Sequence, residues 1–385
     1  MKKLVSLLLA MILVLSLVPA AVADQVMLNP DENRKIKLQK VGLNEAEEGV
    51  SPTTGLYLED LEAPAGFAGL AVTGRYMPML VQIDNTSGGI DARAPWGASF
   101  ADIVYETPLY KNGITRLSFL YSDLIPDSVG PIRSARMGHA WLREEWDAGF
   151  LYFGQQEYVK SDVKKELKEL GVEKKGLAFS GTVGSGKPWK QFYSRRKGIV
   201  SPHNVDANVA AIYELIDPSF VAPNHTFLFT DELPEGDVAD EIRIKTGQLG
   251  YGSNLIYDMD SNLYYRYMRI KDDELVAYED LDTQEHIGFA NVIIQFAEVQ
   301  WLRSDAPITY HVGKKYYSGK GDESIGGNAD FFMGGVHVEG YWQRESMESR
   351  TVFYTADGQE LQMQRGKTLI VVVDSKNWEV SYQAY

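Results

Sequence analysis

The chain has 385 residues, a formal net charge of −15 and an apolar fraction of 44%, which is enough to bury a hydrophobic core. This acidic balance, with no evident basic surface, excludes non-specific nucleic-acid binding, which depends on lysine and arginine contacts to phosphates. The absence of cysteine excludes disulfides, a thiol nucleophile, thiolate metal sites and a lipidated N-terminal cysteine.

The first 23 residues have the pattern of a secretory signal peptide. Lys2 and Lys3 precede the apolar run "LVSLLLAMILVLSLV", and small residues mark a cleavage site near Ala23. We therefore predict an exported protein, located outside the cell or in the cell envelope. The alternative is a retained anchor, but the run is short for a span of roughly 20 residues. No second stretch is as apolar, so we predict no transmembrane segment in the mature chain.

Residues 24–75 are polar and lack periodicity, which predicts a linker or arm. From Tyr76 the pattern changes, and four segments are typical of strands: "MPMLVQID", "ADIVYETPLY", "GITRLSFLYSD" and "AGFLYFG". Three helices are predicted: from Pro131 to about Asp147, from a Ser161 cap to Gly171, and from an Asp206 cap to Ile216. This alternation predicts a mixed α/β N-terminal domain with a central sheet over residues 76–230.

The acidic, turn-rich stretch "TDELPEGDVADE" predicts a domain boundary near residues 230–241. Beyond it the segments "NLIYDMDSNLYYRYMRI", "NVIIQFAEVQW", "TVFYTADGQELQM" and "KTLIVVVD" are typical of strands. Asp357-Gly358 between alternating runs predicts a hairpin. Residues 231–385 are therefore predicted to form a smaller β-rich domain, which gives an α+β protein overall.

Two arginines stand out in "VGPIRSAR". A helix beginning at Pro131 would place Arg133 and Arg136 on one face of its first turns, beside free backbone N–H groups. Cations at the positive end of a helix dipole call for negative charge nearby. That charge is either an external phosphate, sulfate or carboxylate, or the protein's own carboxylates in an ion-pair network.

Three carboxylates are candidates for that internal charge or for general acid and base roles. They are Asp84, Asp102 and Glu106. Asp102 and Glu106 are four residues apart on one strand, about 13 Å at ~3.3 Å per residue. Because a glycosidase dyad requires roughly 5–9.5 Å, these two do not form one by themselves. Each can instead pair with Asp84 or Arg116, or remain solvated.

"SPHN" provides the best histidine candidate. Pro202 predicts a rigid loop, in which His203 can act as a general base or anion ligand and Asn204 can orient it. A structural role for this histidine is the alternative. "GTVGSGKP" lacks the Ser or Thr of a nucleotide-binding P-loop, because Pro188 follows the lysine. The histidines lack metal-ligand spacing, so we predict neither a metal nor another cofactor.

Several motifs together resemble the YerB-like family of bacterial envelope proteins, many of which are lipoproteins. These motifs are "MLVQIDN", "ADIVYETPLYKNGITRLSFLY", "VGPIRSAR", "SPHN" and the C-terminal "GYWQRE" to "TLIVVV", spanning roughly residues 76–374. The resemblance implies two domains and supplies no reaction, because the family has no known function. Its motif positions fall on Asp84, Asn85, Asp102, Glu106, Thr115, Arg116, Gly130, Pro131, Arg133, Arg136, His203 and Asn204.

The chain departs from that family pattern in three places. It has no lipobox cysteine, Asn112 replaces a glycine of the family's Gly-Gly-Ile-Thr-Arg motif, and only Arg195 matches one of two arginines before the His-Asn pair.

Three functions remain open from the sequence. The first is a module that binds an anionic or sugar-containing envelope ligand through Arg116, Arg133, Arg136, His203 and Asn204. The second is a hydrolase or transferase acting on a cell-wall or phosphate-linked polymer, with Asp84, Asp102, Glu106 or His203 as acid or base. The third is a structural or interaction protein whose polar cluster is an internal network. A cell-wall polymer or an envelope protein is the predicted partner, and whether the protein is an enzyme stays open.

Overall fold

The structure, a computed structural model, describes residues 25–30, 32, 34, 36, 39, 44–85, 94–246, 252–269, 274–309, 325–374 and 376–385. The predicted signal peptide, residues 1–23, lies outside these residues. Across the described ranges, no helix is both long and apolar enough to cross a bilayer.

The N-terminal part of the chain contains strands and four short helices. The strands are β1 (Val26–Met27), β2 (Met79–Asn85), β3 (Ile103–Pro108), β4 (Thr115–Tyr121), β5 (Gly149–Tyr152), β6 (Glu157–Tyr158), β7 (Ser161–Asp162), β8 (Ala178–Ser180), β9 (Tyr193–Arg195), β10 (Val205–Ala207) and β11 (Leu228–Thr230). The helices in this described part are α1 (Leu70–Thr73), α2 (Met137–Trp146), α3 (Val163–Glu169) and α4 (Val209–Tyr213).

Among its described residues, the C-terminal part contains strands joined by turns and loops, without a helix. They are β12 (Asp237–Val238), β13 (Glu241–Lys245), β14 (Gly252–Asp258), β15 (Leu263–Arg269), β16 (Leu275–Ala277), β17 (Gly288–Phe289), β18 (Asn291–Ala297), β19 (Val299–Arg303), β20 (Ala306–Thr309), β21 (Ile325–Met333), β22 (Val336–Arg344), β23 (Thr351–Thr355), β24 (Gln362–Gln364), β25 (Thr368–Asp374) and β26 (Glu379–Gln383). The turn at Asp357-Gly358 reverses the chain as predicted, because the N–H of Leu361 donates to the carbonyl of Phe353.

One large sheet runs through both parts. In the described chain it has eleven strands, ordered β12-β22-β21-β18-β25-β3-β4-β2-β5-β8, with β23 also pairing with β22. Strand β3 from the N-terminal part lies parallel to β25 from the C-terminal part, in register from Ile103 opposite Thr368. A second sheet, ordered β1-β26-β13-β14-β15-β16 with β17 on β15, adds further strands.

The predicted strands of the N-terminal part are confirmed, but the mixed α/β description of that part is not well supported. Strand residues far outnumber helical ones, and α2, the longest of its described helices, has 10 residues. Sequence patterns predicted three longer helices, and in each the first residues are extended instead. Tertiary pairing of those residues with neighbouring backbone outweighs their local helix signals.

The helix predicted from Pro131 begins six residues later, at Met137. The preceding segment is extended and forms single bridges on both sides, Ile132 with Ile83 and Gly130 with Trp96. Close packing explains this conformation. A Cβ on Gly130 would overlap the Trp96 ring and lie 2.5 Å from the Val205 carbonyl oxygen. A helix starting at Pro131 would break these contacts.

Two predicted helix caps are also displaced. Asp162, not Ser161, caps α3 by accepting a hydrogen bond from the N–H of Lys165 at 3.0 Å. Asn208, not Asp206, caps α4 by accepting one from Ala211 at 2.7 Å. The predicted cap Asp206 lies in β10, where its carboxylate accepts from the indole of Trp96.

Part of the segment predicted as a polar arm packs against the core. Ser51, Thr53 and Thr54 are buried. The Thr53 hydroxyl donates to Asp102 at 3.1 Å, and the Thr54 hydroxyl donates to Asp123 at 2.8 Å. Small hydroxyl residues therefore serve here as partners of buried carboxylates, a role that hydropathy does not reveal.

Candidate functional site

Asp84 is the centre of the polar cluster that the fold assembles. It lies near the end of β2, directly opposite Arg116 of β4, and its side chain is fully buried. Arg116 Nη1 donates to Asp84 Oδ1 at 3.3 Å. Arg133 Nε lies 3.1 Å from Oδ2, and His203 Nδ1 lies 2.5 Å from the same oxygen. One carboxylate thus organises two arginines and a histidine.

The extended segment before α2 brings Arg133 to this carboxylate. Its backbone runs beside β2, where the N–H of Asp84 donates to Pro131 and the N–H of Arg133 donates to Gln82. The Arg133 side chain is 26% exposed, and its Nε–H has no hydrogen-bond acceptor in suitable direction despite the short charge separation. Arg133 is therefore held by charge more than by a directed hydrogen bond.

Arg136 points elsewhere, so the prediction that both arginines share one helix face is wrong. Side chains alternate along an extended segment, and residues three apart face opposite ways. Arg136 donates to Ser134 Oγ at 2.8 Å and to the backbone oxygens of Ala135 and Asp305. Within the described ranges, no carboxylate lies within ion-pair distance of Arg136.

Burial shapes the charge state of these arginines. It lowers the pKa of Arg116 to about 9, with Asp84 opposing the shift and the charges of Arg136 and Arg133 adding to it. Burial likewise lowers the pKa of Arg136, and the charge of Arg133 adds to that shift. At neutral pH Arg116 remains protonated, so two positive arginines flank Asp84.

His203 is fixed by the loop that follows β9. Its N–H donates to the carbonyl of Val200, and its side chain remains 17% exposed. Nδ1 faces Asp84, and Nε2 has no hydrogen-bond partner among the residues that the structure describes. Asn204 faces away from this cluster, where it accepts a hydrogen bond from Arg195 at 2.8 Å. Asn204 therefore secures the loop and does not orient His203 through its side chain.

Glu106 belongs to a neighbouring buried cluster. Its Oε1 accepts from Thr115 at 2.7 Å and from Asn85 at 3.2 Å, and its Oε2 pairs with Arg266 at 2.9 Å. Sequence reasoning missed Arg266. The available signal was an arginine flanked by tyrosines in β15, a strand in which Tyr264 and Arg266 are both buried.

Asp102 lies apart from both clusters. Its Oδ2 accepts from Thr53 and from the backbone and hydroxyl of Ser122. Burial raises its pKa well above the ordinary value, and the neighbouring charge of Asp123 adds to the effect. Asp102 does not contact Arg133 or His203. Its hydrogen bonds to Thr53 and Ser122 give it a structural role.

His139 is a second histidine that the sequence did not single out. Its Nδ1 accepts from the N–H of Arg136 at 3.0 Å, which fixes the start of α2. Its Nε2 lies 3.0 Å from Thr107 Oγ1, next to Arg116 on the paired strand. No group of three or more His, Asp or Glu residues suited to a metal ion occurs in the described part of the chain.

Comparisons with known proteins agree with this architecture. Residues 67–221 match "Protein of unknown function (DUF3048) N-terminal domain", and residues 242–370 match the C-terminal domain of the same family. "Putative lipoprotein YerB" of Bacillus subtilis (strain 168) is 25% identical over 328 residues, 84% of this chain and 86% of that protein.

The fold resembles a solved structure as well. The crystal structure of YerB protein from Bacillus subtilis superimposes with a TM-score of 0.64 at 22% identity, covering 86% of this chain and 99% of that one. The paired matches to both domains of one family, over most of the chain, confirm the resemblance that its motifs indicated: this protein belongs to the two-domain DUF3048 family, whose function is unknown.

Proposed function

We propose that the protein is an exported, envelope-associated protein that binds an anionic ligand at the exposed side of Arg133 and His203. One observation carries the proposal: a single buried carboxylate, Asp84, is shared by two arginines and a histidine. Positive charge therefore exceeds negative charge in the cluster, and its two outer members reach solvent. Fixed donors of this kind suit phosphate, sulfate or carboxylate groups.

The envelope location is supported by the N-terminal sequence pattern and by the relative whose name includes "lipoprotein". The acidic composition also fits, because the cluster is a local exception in a chain of net charge −15. A ligand attracted to it must be recognised at a local positive site, since the net charge of the whole chain repels anions.

Substitution of Arg133 tests the proposal. We expect Arg133→Gln to weaken binding of inorganic phosphate at least ~10-fold by isothermal titration calorimetry, because a charge-assisted hydrogen bond contributes about 1.5–3 kcal/mol. Pull-down of purified anionic wall polymer should fall in parallel. Arg365→Gln is a matched control: Arg365 is 22% exposed, against 26% for Arg133, and pairs with Asp231 outside the cluster.

The internal-network alternative predicts a different result. If wild-type protein binds neither phosphate nor polymer, while Arg133→Gln lowers the free energy of unfolding, the cluster is structural and the proposal is wrong.

A hydrolase or transferase is the second candidate, and the orientation of His203 favours it. A carboxylate on Nδ1 is the arrangement that presents Nε2 for proton transfer. For this function His203→Ala must abolish release of phosphate or reducing sugar from wall polymer while leaving polymer binding measurable. Binding without any release by wild-type protein excludes this candidate.

A further inference from the structure

Basic side chains line a cleft formed by turns and strand ends of both parts of the chain. Its volume is about 620 Å³, and its lining residues are Lys111, Asn112, Lys245, Ser304, Lys376, Asn377 and Glu379. They come from the β3–β4 turn, the end of β13, the β19–β20 turn, the connection from β25 to β26 and the first residue of β26. We call this surface the lysine cleft.

The lysine cleft has an excess of positive charge. Glu379 is the carboxylate among its lining residues, and it pairs with Lys245 at 3.5 Å. Within the described chain, Lys111 and Lys376 have no carboxylate at ion-pair distance. Two unpaired ammonium groups at one cleft therefore form a local site of positive potential.

A short turn connects the lysine cleft to Arg136. The N–H of Lys111 donates to the carbonyl of Ser304 at 2.8 Å, and Arg136 Nε donates to the carbonyl of Asp305 at 3.3 Å. The Asp305 carboxylate lies 3.5 Å from Arg303 and accepts from Tyr158, so it has its own partners. This turn thus lies between the cleft and Arg136, whose charge in turn acts on Arg116 beside Asp84.

We propose that the lysine cleft is a second subsite, and that the ligand is a linear polyanion with repeating phosphate or carboxylate groups. This inference rests on the proposed function and specifies its ligand class. A single small anion needs only Arg133 and His203, whereas separated positive sites suit successive charges of one chain. Lysine is appropriate at the outer subsite, because its flexible ammonium contacts anions as a point charge without fixed bidentate geometry.

Occupying two subsites with one polymer raises affinity without any new type of contact, because the second contact becomes intramolecular. Wild-type protein should therefore bind long-chain polyphosphate more tightly than tripolyphosphate, and tripolyphosphate more tightly than orthophosphate. Binding also releases counterions from the flexible polyanion, so affinity falls as salt concentration rises. In a plot of the logarithm of the binding constant against the logarithm of salt concentration, the slope is about −0.7 per neutralised charge.

The decisive variant is Lys111→Gln with Lys376→Gln in the full chain, measured by isothermal titration calorimetry. We expect at least ~10-fold weaker binding of long-chain polyphosphate, unchanged binding of orthophosphate, and a salt slope smaller by about 0.7 per lysine. The control, Lys164→Gln with Lys168→Gln, changes net charge equally at exposed positions around α3. Arg133→Gln should weaken all three phosphate ligands.

The possible failures are distinguishable. Equal affinity for short and long chains, or an equal effect of the control lysines, overturns the polyanion inference; phosphate binding that still depends on Arg133 then keeps the proposed function. Polymer binding that depends on the cleft but not on Arg133 supports the second site and removes the proposed function. Parallel titrations with polyglutamate identify the repeating group, and binding of neither polymer overturns the inference.

Discussion

A single buried carboxylate can only be retained where its charge is compensated, and Asp84 is compensated several times over. Arg116, Arg133 and His203 all approach it within 3.3 Å. The cost of burying Arg116 is visible in its lowered pKa of about 9. Asp84 therefore works as an anchor for cations and is not available as a free general base.

The sequence identified candidate site residues, but it did not predict which of them contact one another. The sequence singled out Asp84, Arg133 and His203, and the structure brings these three together. It also singled out Arg136 and Asn204, whose side chains face other partners. Pairing depends on which strands are neighbours, and the partners of Arg133 are separated from it by tens of residues along the chain.

The buried pair Asp102 and Asp123 gives a prediction about pH. Donors from Ser122 and Thr53 favour ionised Asp102, but burial and the charge of Asp123 outweigh them and raise its pKa. Burial also raises the pKa of Asp123. The folded protein therefore holds protons more tightly than the unfolded chain. The contribution of these protonated carboxyls to the free energy of unfolding is complete below pH 3.8, the ordinary pKa of an aspartate in the unfolded chain. This contribution is lost as the pH rises through the higher pKa of the folded state.

Replacing one carboxyl should reduce this dependence. In Asp102→Asn the free energy of unfolding, measured with urea between acidic and neutral pH, should fall less steeply than in wild type, by up to about 1.4 kcal/mol per pH unit. Asp231→Asn changes a carboxylate that is 77% exposed and serves as the control. Parallel curves for wild type and Asp102→Asn would contradict the explanation.

At the scale of elements, strands were easier to predict than helix starts. The apolar runs of β2, β3, β4, β18 and β25 have the lengths and flanking turns that strands require, and each appears in the structure. The prediction of a helix start was wrong for the segment before α2, because its turn residues are compatible with either a helix start or a close-packed extended chain. Only tertiary contacts, absent from any local pattern, distinguish the two.

Gly130 provides the test of that explanation. In Gly130→Ala the added methyl would meet the Trp96 ring and the Val205 carbonyl, so the extended segment must shift. We expect a loss of about 1–3 kcal/mol in the free energy of unfolding. Gly184→Ala is the control, because nothing lies within 4 Å of its added Cβ. An equal effect of the two substitutions would mean that close packing at Gly130 is unimportant.

At the scale of the molecule, the regions matched by the two family domains share backbone hydrogen bonds. Strand β25 pairs with β3 on one side and with β18 on the other. The division predicted near residues 230–241 stays a prediction about domains. A sheet continuous across both regions nevertheless makes independent unfolding costly, because separating them would expose β3 and β25 along their edges.

We therefore expect one cooperative thermal transition, with calorimetric and van't Hoff enthalpies in agreement. Ile370 of β25 is 1% exposed and lies opposite Tyr105 of β3. Ile370→Ala should lower stability by about 2–5 kcal/mol and move the entire transition to lower temperature. Val221→Ala, at a side chain 80% exposed, should leave it unchanged. A second transition that Ile370→Ala does not move would show that the two regions unfold separately, despite the sheet they share.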